Sequence, residues 1–208
     1  MKMYNGNKRR ISKKPVVVAP SFNVIHQNLP HWKMIEQVGV DLHLILKRFH
    51  PAILFISEVD PARVEANTPD GYTFLRGTLK VKDIVRVCAL IKVTESYEVL
   101  NLNLDVPTVA IKLLGWTFMG VYREWTHGAD PTTNWIEDRG WTQFVQEITR
   151  SQKGQESGIL DHVYCNQSDF VEHLFNENTT GTDHYSVGVT NLHRTNLLLP
   201  LNKEDSSR

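Results

Sequence analysis

Between Ile35 and Ile56 the hydrophobic period of the chain changes once, and that change restricts the available folds more than any other feature. Ile35, Val38, Leu42, Ile45 and Phe49 recur at steps of three and four, the spacing of one apolar stripe on an α-helix. Pro51 ends that helix, because a proline disfavours helical backbone in the residue before it. Ile53-Leu54-Phe55-Ile56 then runs apolar without a break and closes on Ser57-Glu58, as a strand buried on both faces does. Upstream, the β-branched run Val16-Val17-Val18-Ala19, with Asn23 just after it, supplies the strand before the helix. Strand, helix and strand within about 45 residues predict a βαβ unit with a right-handed crossover.

The middle of the chain has a different rhythm. Tyr72 to Leu75, Val85 to Ile91, Tyr97 to Leu104, Thr108 to Leu113 and Trp116 to Tyr122 alternate with short polar breaks, the pattern of hairpins or a meander. Trp141, Phe144, Val145 and Ile148 fit a second amphipathic helix. Gly158 to Tyr164 and Tyr185 to Val189 complete the set as two late strands. Mixed strands with helices on outer faces predict an α/β fold, a two-sheet α/β sandwich.

Composition narrows the function classes. The 208 residues carry 23 Lys plus Arg against 23 Asp plus Glu, a formal net charge of zero. A strongly basic nucleic-acid-binding body is therefore excluded, although a local patch is not. Lys2, Lys8, Arg9, Arg10, Lys13, Lys14 and Lys33 all precede the first acidic residue, Glu36. Residues 1–14 read as a basic disordered arm, 15–190 as one folded domain and 191–208 as a polar tail. No apolar run reaches the roughly 18 residues of a membrane helix. The N-terminus has no signal-peptide core, and Cys88 and Cys165 are the two cysteines, too few for a disulfide framework. An intracellular chain, nuclear or cytoplasmic and not secreted, is expected, with no membrane contact and no obligate protein partner.

Chemistry-bearing side chains gather where apolar strands end. Asn23 follows the first run, Glu58 ends the second, Tyr122-Arg123 end the meander, Asp161 sits in a late strand, and Asp183-His184 open the last. Strand ends in such sheets share one crevice, where loops converge on a rigid support. Glu58 suits Mg²⁺, a hard cation that takes oxygen ligands and keeps waters. An Asp-His pair suits general base catalysis, with the carboxylate orienting the imidazole. Tyr122 and Arg123 suit a phosphate oxygen, by hydrogen bond and by charge. Taken singly, each is an ordinary strand-end or turn residue; their order along the chain is what carries information.

That ordered set resembles the endonuclease/exonuclease/phosphatase superfamily, and within it the apurinic-type endonuclease domains of non-LTR retroelements. Ser21-Phe22-Asn23 is similar to the opening strand and its asparagine. Pro51 to Glu58 resembles the segment "PDILFISE", Gly120 to Trp125 the "VYR" signature, Ser157 to Asn166 "S-x-IDHVYTN", and Thr182 to Val187 "SDHYPV". Ile84 to Ile91 is similar to the core strand between the first two of these. The resemblance implies a DNase I-like sandwich acting on phosphodiesters with Mg²⁺ or Mn²⁺. It implies that Glu58 binds the metal beside Asn23, Tyr122 contacts the phosphate and His184, oriented by Asp161, works at the scissile phosphorus. Asp183 would support the metal or His184. DNA is the implied partner, held weakly or transiently given the neutral charge.

One element of that family is missing from the sequence. Between the "VYR" and "IDHVY" strands the family places a "GDFN" strand, and no Gly-Asp-x-Asn occurs anywhere in this chain. A segment lost between Ile148 and Thr149 accounts for it, and predicts an incomplete sandwich lacking one inner strand. Removing one essential polar group from such a site costs about 10²–10³ in rate, so activity is expected to be impaired. Three functions follow as expectations: an impaired metal-dependent DNA endonuclease-family domain of retroelement origin, a catalytically inactive remnant or binding module, and a phosphatase of a small phosphorylated molecule.

Overall fold

The computed structural model describes residues 22–30, 33–77, 86–102, 104, 106–122, 136, 138–145, 149–150, 161–167, 173–178, 180 and 184–190. The expected basic arm 1–14 and the tail 191–208 lie outside them. The elements run β1 (Val24–Asn28), α1 (Ile35–Phe49), β2 (Ile53–Ser57), α2 (Pro61–Ala66), β3 (Tyr72–Arg76), β4 (Val87–Lys92), β5 (Tyr97–Leu100), β6 (Thr108–Leu113), β7 (Trp116–Tyr122), β8 (Thr142–Gln143), β9 (Asp161–Cys165), β10 (His173–Glu177) and β11 (Ser186–Thr190).

The strands form the expected two sheets. The first has the order β10-β11-β1-β2-β4-β3 and the second β5-β6-β7-β9-β8. Among the described residues only β1 and β2 pair in parallel, Val24 opposite Ile53 through Asn28 opposite Ser57, with α1 as their crossover. Along β2, Ile53 and Phe55 face the second sheet, while Leu54 and Ile56 pack with Val38, Leu42 and Ile45 of α1. Both faces of that strand are covered, which explains its unbroken apolar run. Between the sheets, Phe22, Trp116 and Phe118 meet in tilted and edge-to-face contacts with centroids 5.7–6.2 Å apart. Gly120 of β7 meets Phe55 across the sandwich, and a Cβ there would lie 2.5 Å from the Phe55 ring.

Several sequence expectations are corrected. The strand of the βαβ unit is Val24–Asn28, not residues 16–19, which lie outside the described residues. Its sequence, Val-Ile-His-Gln-Asn, hides a fully buried strand because His26 and Gln27 bond to side chains and backbone from other strands. The helix expected from Trp141 does not form over residues 141–145: Thr142 and Gln143 pair with Cys165 and Tyr164 as β8. Gln143 also ties its side chain to the backbone of Val145, so tertiary pairing overrides a short apolar period. The meander is limited to β5-β6-β7; β3 and β4 form a hairpin in the other sheet. Neither α2 nor β10 was anticipated. Lys33 is not part of an exposed basic arm but is buried against Asp41.

Candidate active site

One rim of the sandwich collects the carboxyl ends of β1, β2 and β7 and the start of β9. At that rim β2 ends abruptly. Glu58 follows it in the left-handed backbone region, at φ +64°, and its N–H is held by the carbonyl of Arg86 at 2.9 Å. A non-glycine side chain in that region costs roughly 1–2 kcal/mol. Such strain persists where the surroundings over-determine it, and it gathers at functional positions.

From the facing sheet, Tyr122 ends β7 and donates its phenol hydrogen to Glu58 Oε1 at 3.2 Å. The Arg86 guanidinium lies over the Tyr122 ring, 5.6 Å from its centroid. Asp161 starts β9 at the register position opposite Tyr122. Residue 184 pairs with Arg150, and Tyr185 N–H donates to the Thr149 carbonyl at 2.9 Å. β11 runs antiparallel to β1 with His26 opposite Val187, so His184 lies just past the end of the ladder where Asn28 closes β1. His184 is 3% exposed.

Asn28, at the end of β1, joins this rim without a sequence motif to mark it. It pairs with Ser57, the neighbour of Glu58, and is 2% exposed. Its Oδ1 has no hydrogen-bond partner, and a buried acceptor left so costs about 1–3 kcal/mol unless something binds it. Asn23 stands at the opposite end of β1, a five-residue strand away, or about 17 Å. Its amide donates to the Phe49 carbonyl at the end of α1, so the structure gives it a capping position and does not bring it to Glu58. The signal that distinguishes the two is the strand itself: Val24 and Ile25 open it, and Asn28 precedes Leu29-Pro30.

Of the expected site residues, Glu58, Tyr122, Asp161 and His184 therefore converge on one rim and Asn23 does not. Arg123 and Asp183 lie outside the described residues. No group of three His, Cys, Asp or Glu side chains that could hold a metal is found among the described residues. Glu58 and the unpartnered Asn28 Oδ1 are nonetheless hard oxygen donors, and one carboxylate with one further oxygen fits Mg²⁺, which keeps most of its waters.

A polar bridge lies just beneath this rim. His26, fully buried, reaches the His162 carbonyl through Nδ1 and the Ser57 hydroxyl through Nε2, both at 3.1 Å. A carbonyl only accepts, so Nδ1 carries the hydrogen, and in the neutral ring Nε2 accepts from Ser57. The bridge crosses between the sheets and holds the backbone on either side of Glu58 and Asp161. The two thiols are no nucleophiles: burial pushes Cys165 up to about 11 and Cys88 further in the same direction.

No protein-family model and no curated protein matches the chain. Solved structures do. The endonuclease domain of TRAS1, a telomere-specific non-LTR retrotransposon, aligns with a TM-score of 0.60 at 10% identity, over 85% of this chain and all of that one. D. rerio TDP2 complexed with single strand DNA product aligns at 0.55 and 10% identity, over 82% of this chain and 98% of that one. Truncated Caenorhabditis elegans TDP2 aligns at 0.54 and 12% identity, over 82% and 96%. At such identities the likeness is one of fold, and it bears out the expected two-sheet, DNase I-like sandwich.

Proposed function

We propose that this chain, which carries the endonuclease/exonuclease/phosphatase fold, is a metal-dependent phosphodiesterase domain acting on DNA, of retroelement origin and with slowed chemistry. The observation that carries the proposal is Glu58, strained backbone and all, held by Tyr122 beside the unpartnered Asn28 oxygen. The likeness to the TRAS1 endonuclease domain and to a TDP2 bound to single strand DNA product supports the substrate class.

Glu58 and Asn28 would hold Mg²⁺ or Mn²⁺, which when bound neutralises charge building on phosphoryl oxygens. Tyr122 fixes the Glu58 carboxylate in the free site, and its single O–H would turn to the phosphate once Glu58 binds the metal. His184, with Asp161 to orient it, takes the proton of the attacking water. As the new O–P bond forms, the P–O bond to the leaving sugar oxygen breaks, and that oxygen departs with a proton from solvent. Asp183 would support the metal or His184, and Arg123 the phosphate.

Slowed chemistry is supported by the sequence, which contains no Gly-Asp-x-Asn, and by the direct pairing of β7 and β9 from Tyr122–Asp161 to Phe118–Cys165. In this reading the sheet closes where the family would place an extra strand with two polar groups. That closure also favours a second function, a binding module without turnover. Plasmid nicking in Mg²⁺ or Mn²⁺ tests the proposal. We expect slow nicking that Glu58→Ala and His184→Ala abolish; nicking unchanged in both variants overturns it. Salt-sensitive DNA binding without nicking establishes the binding module instead.

A further inference from the structure

We infer that Arg86 is the phosphate-binding cation of this site, with the Tyr122 ring as its platform; the inference deepens the proposed function and rests on it for the location of the phosphate. Arg86 immediately precedes β4, and its carbonyl already fixes the strained Glu58 through the N–H of that residue at 2.9 Å. The residue is partly buried, and its guanidinium lies over the Tyr122 ring at 5.6 Å. Tyr122 in turn holds Glu58 at 3.2 Å. One residue thus touches both groups that define the rim.

The geometry assigns the free part of the side chain. Stacking on an aromatic ring occupies a face of the guanidinium and leaves its edge N–H groups available. No carboxylate or carbonyl among the described residues takes those hydrogens. Elsewhere on the described surface arginines are paired, Arg48 with Glu177 at 2.6 Å and Arg76 with Glu65 at 3.2 Å. A planar fork close to Glu58, held in place and with no anionic partner among the described residues, matches two oxygens of a phosphate. Lysine could supply the charge there but neither the stacking nor the fork.

The test combines two probes on the full chain. In the first, the melting temperature is compared in sodium phosphate and in sodium chloride of equal ionic strength. We expect phosphate to raise it for the wild type and not for Arg86→Ala. In the second, a fluorescein-labelled single-stranded oligonucleotide is titrated across a salt series. Arg86→Ala should weaken binding about tenfold and lower the log–log salt slope by about 0.7, the value for one lost phosphate contact on a single strand. Arg86→Lys should keep the slope and lose part of the affinity. Tyr122→Leu should do the same, since it removes the platform and leaves the charge.

An Arg86→Ala protein that matches the wild type in both the phosphate shift and the salt slope overturns the inference. The nuclease proposal fails separately: a wild type that neither binds nor nicks DNA, yet shows an Arg86-dependent phosphate shift, removes the nuclease function and leaves the phosphate site standing. Nicking that depends on Glu58, with Arg86→Ala unaltered in binding, does the reverse.

Discussion

Tyr122 at the end of β7 and Glu58 just past β2, 64 residues apart in sequence, meet through a hydrogen bond from the phenol to the carboxylate at 3.2 Å, and that contact joins the two sheets at the rim. Tyr122→Phe keeps the ring and deletes the donor. Its effect on stability should stay within about 1.5 kcal/mol, the ordinary worth of one hydrogen bond. Metal-dependent nicking should fall about 10²-fold, the low end for losing one positioned donor. Nicking rate and urea midpoint, measured side by side, check both halves.

Glu58 pays in backbone strain for its position, so glycine there should separate stability from function. Glu58→Gly relieves the left-handed strain and is expected to leave the urea midpoint equal to the wild type or higher, by up to about 1 kcal/mol. The same variant should lose all metal-dependent nicking. A drop in stability would mean that the carboxylate is chiefly a structural brace.

The two asparagines of β1 should respond in opposite ways. Asn23→Ala removes the donor to the Phe49 carbonyl and should cost about 1 kcal/mol in urea unfolding, with nicking per folded molecule unchanged. Asn28→Ala removes a buried oxygen that has no partner. It should leave stability equal or improved, and cut nicking about 10²-fold.

Gly120→Ala should destabilise the sandwich without touching the rim. The added Cβ would lie 2.5 Å from the Phe55 ring, a clash that the sheets relieve only by moving apart or by displacing a core phenylalanine. Overpacking of that kind costs about 1–3 kcal/mol. A lower melting temperature for Gly120→Ala, restored in part by Phe55→Leu, is the expected pattern.

Cys88 and Cys165 make a pH prediction whose sign follows from burial. Both thiols are raised from 9.0 by desolvation, Cys165 to about 11 and Cys88 in the same direction. Below pH 9 both are protonated folded and unfolded, so neither affects stability. Between pH 9 and about 11 the unfolded chain releases protons that the folded chain keeps, so stability falls as pH rises. Urea midpoints at pH 8, 9 and 10 should show that fall, and a Cys88→Ala/Cys165→Ala variant should show less of it. At pH 8 a thiol reagent should modify neither cysteine until the chain unfolds.

Wherever burial is periodic, the fold is legible along the chain. The α1 stripe from Val38 to Phe49 packs on β1 and β2 as its spacing requires, and β6 and β7 fall where their apolar runs predict. Legibility fails where polar side chains are buried. His26 and Gln27 conceal β1 because their partners, Ser57, Ser186 and the His162 carbonyl, come from distant strands, and Asn28 adds a buried oxygen with no partner. The same concealment misplaced the site asparagine by a full strand length. Trp141 to Val145 failed for a different reason: three apolar residues are too few for their period to outweigh pairing with β9.

The residue sequence by itself determined the helix and second strand of the βαβ unit, the two-sheet class and the identity of Glu58, Tyr122, Asp161 and His184 as strand-end groups. Period and strand termination are local properties, written within a dozen residues. Only the tertiary structure decided which strand ends share a rim, because that depends on sheet order and on the direction of each strand. It set Asn28 in place of Asn23, laid Arg86 over Tyr122 and closed β7 onto β9. Each of these contacts joins positions more than 30 residues apart along the chain, or turns on the direction of β1, and no local pattern encodes either.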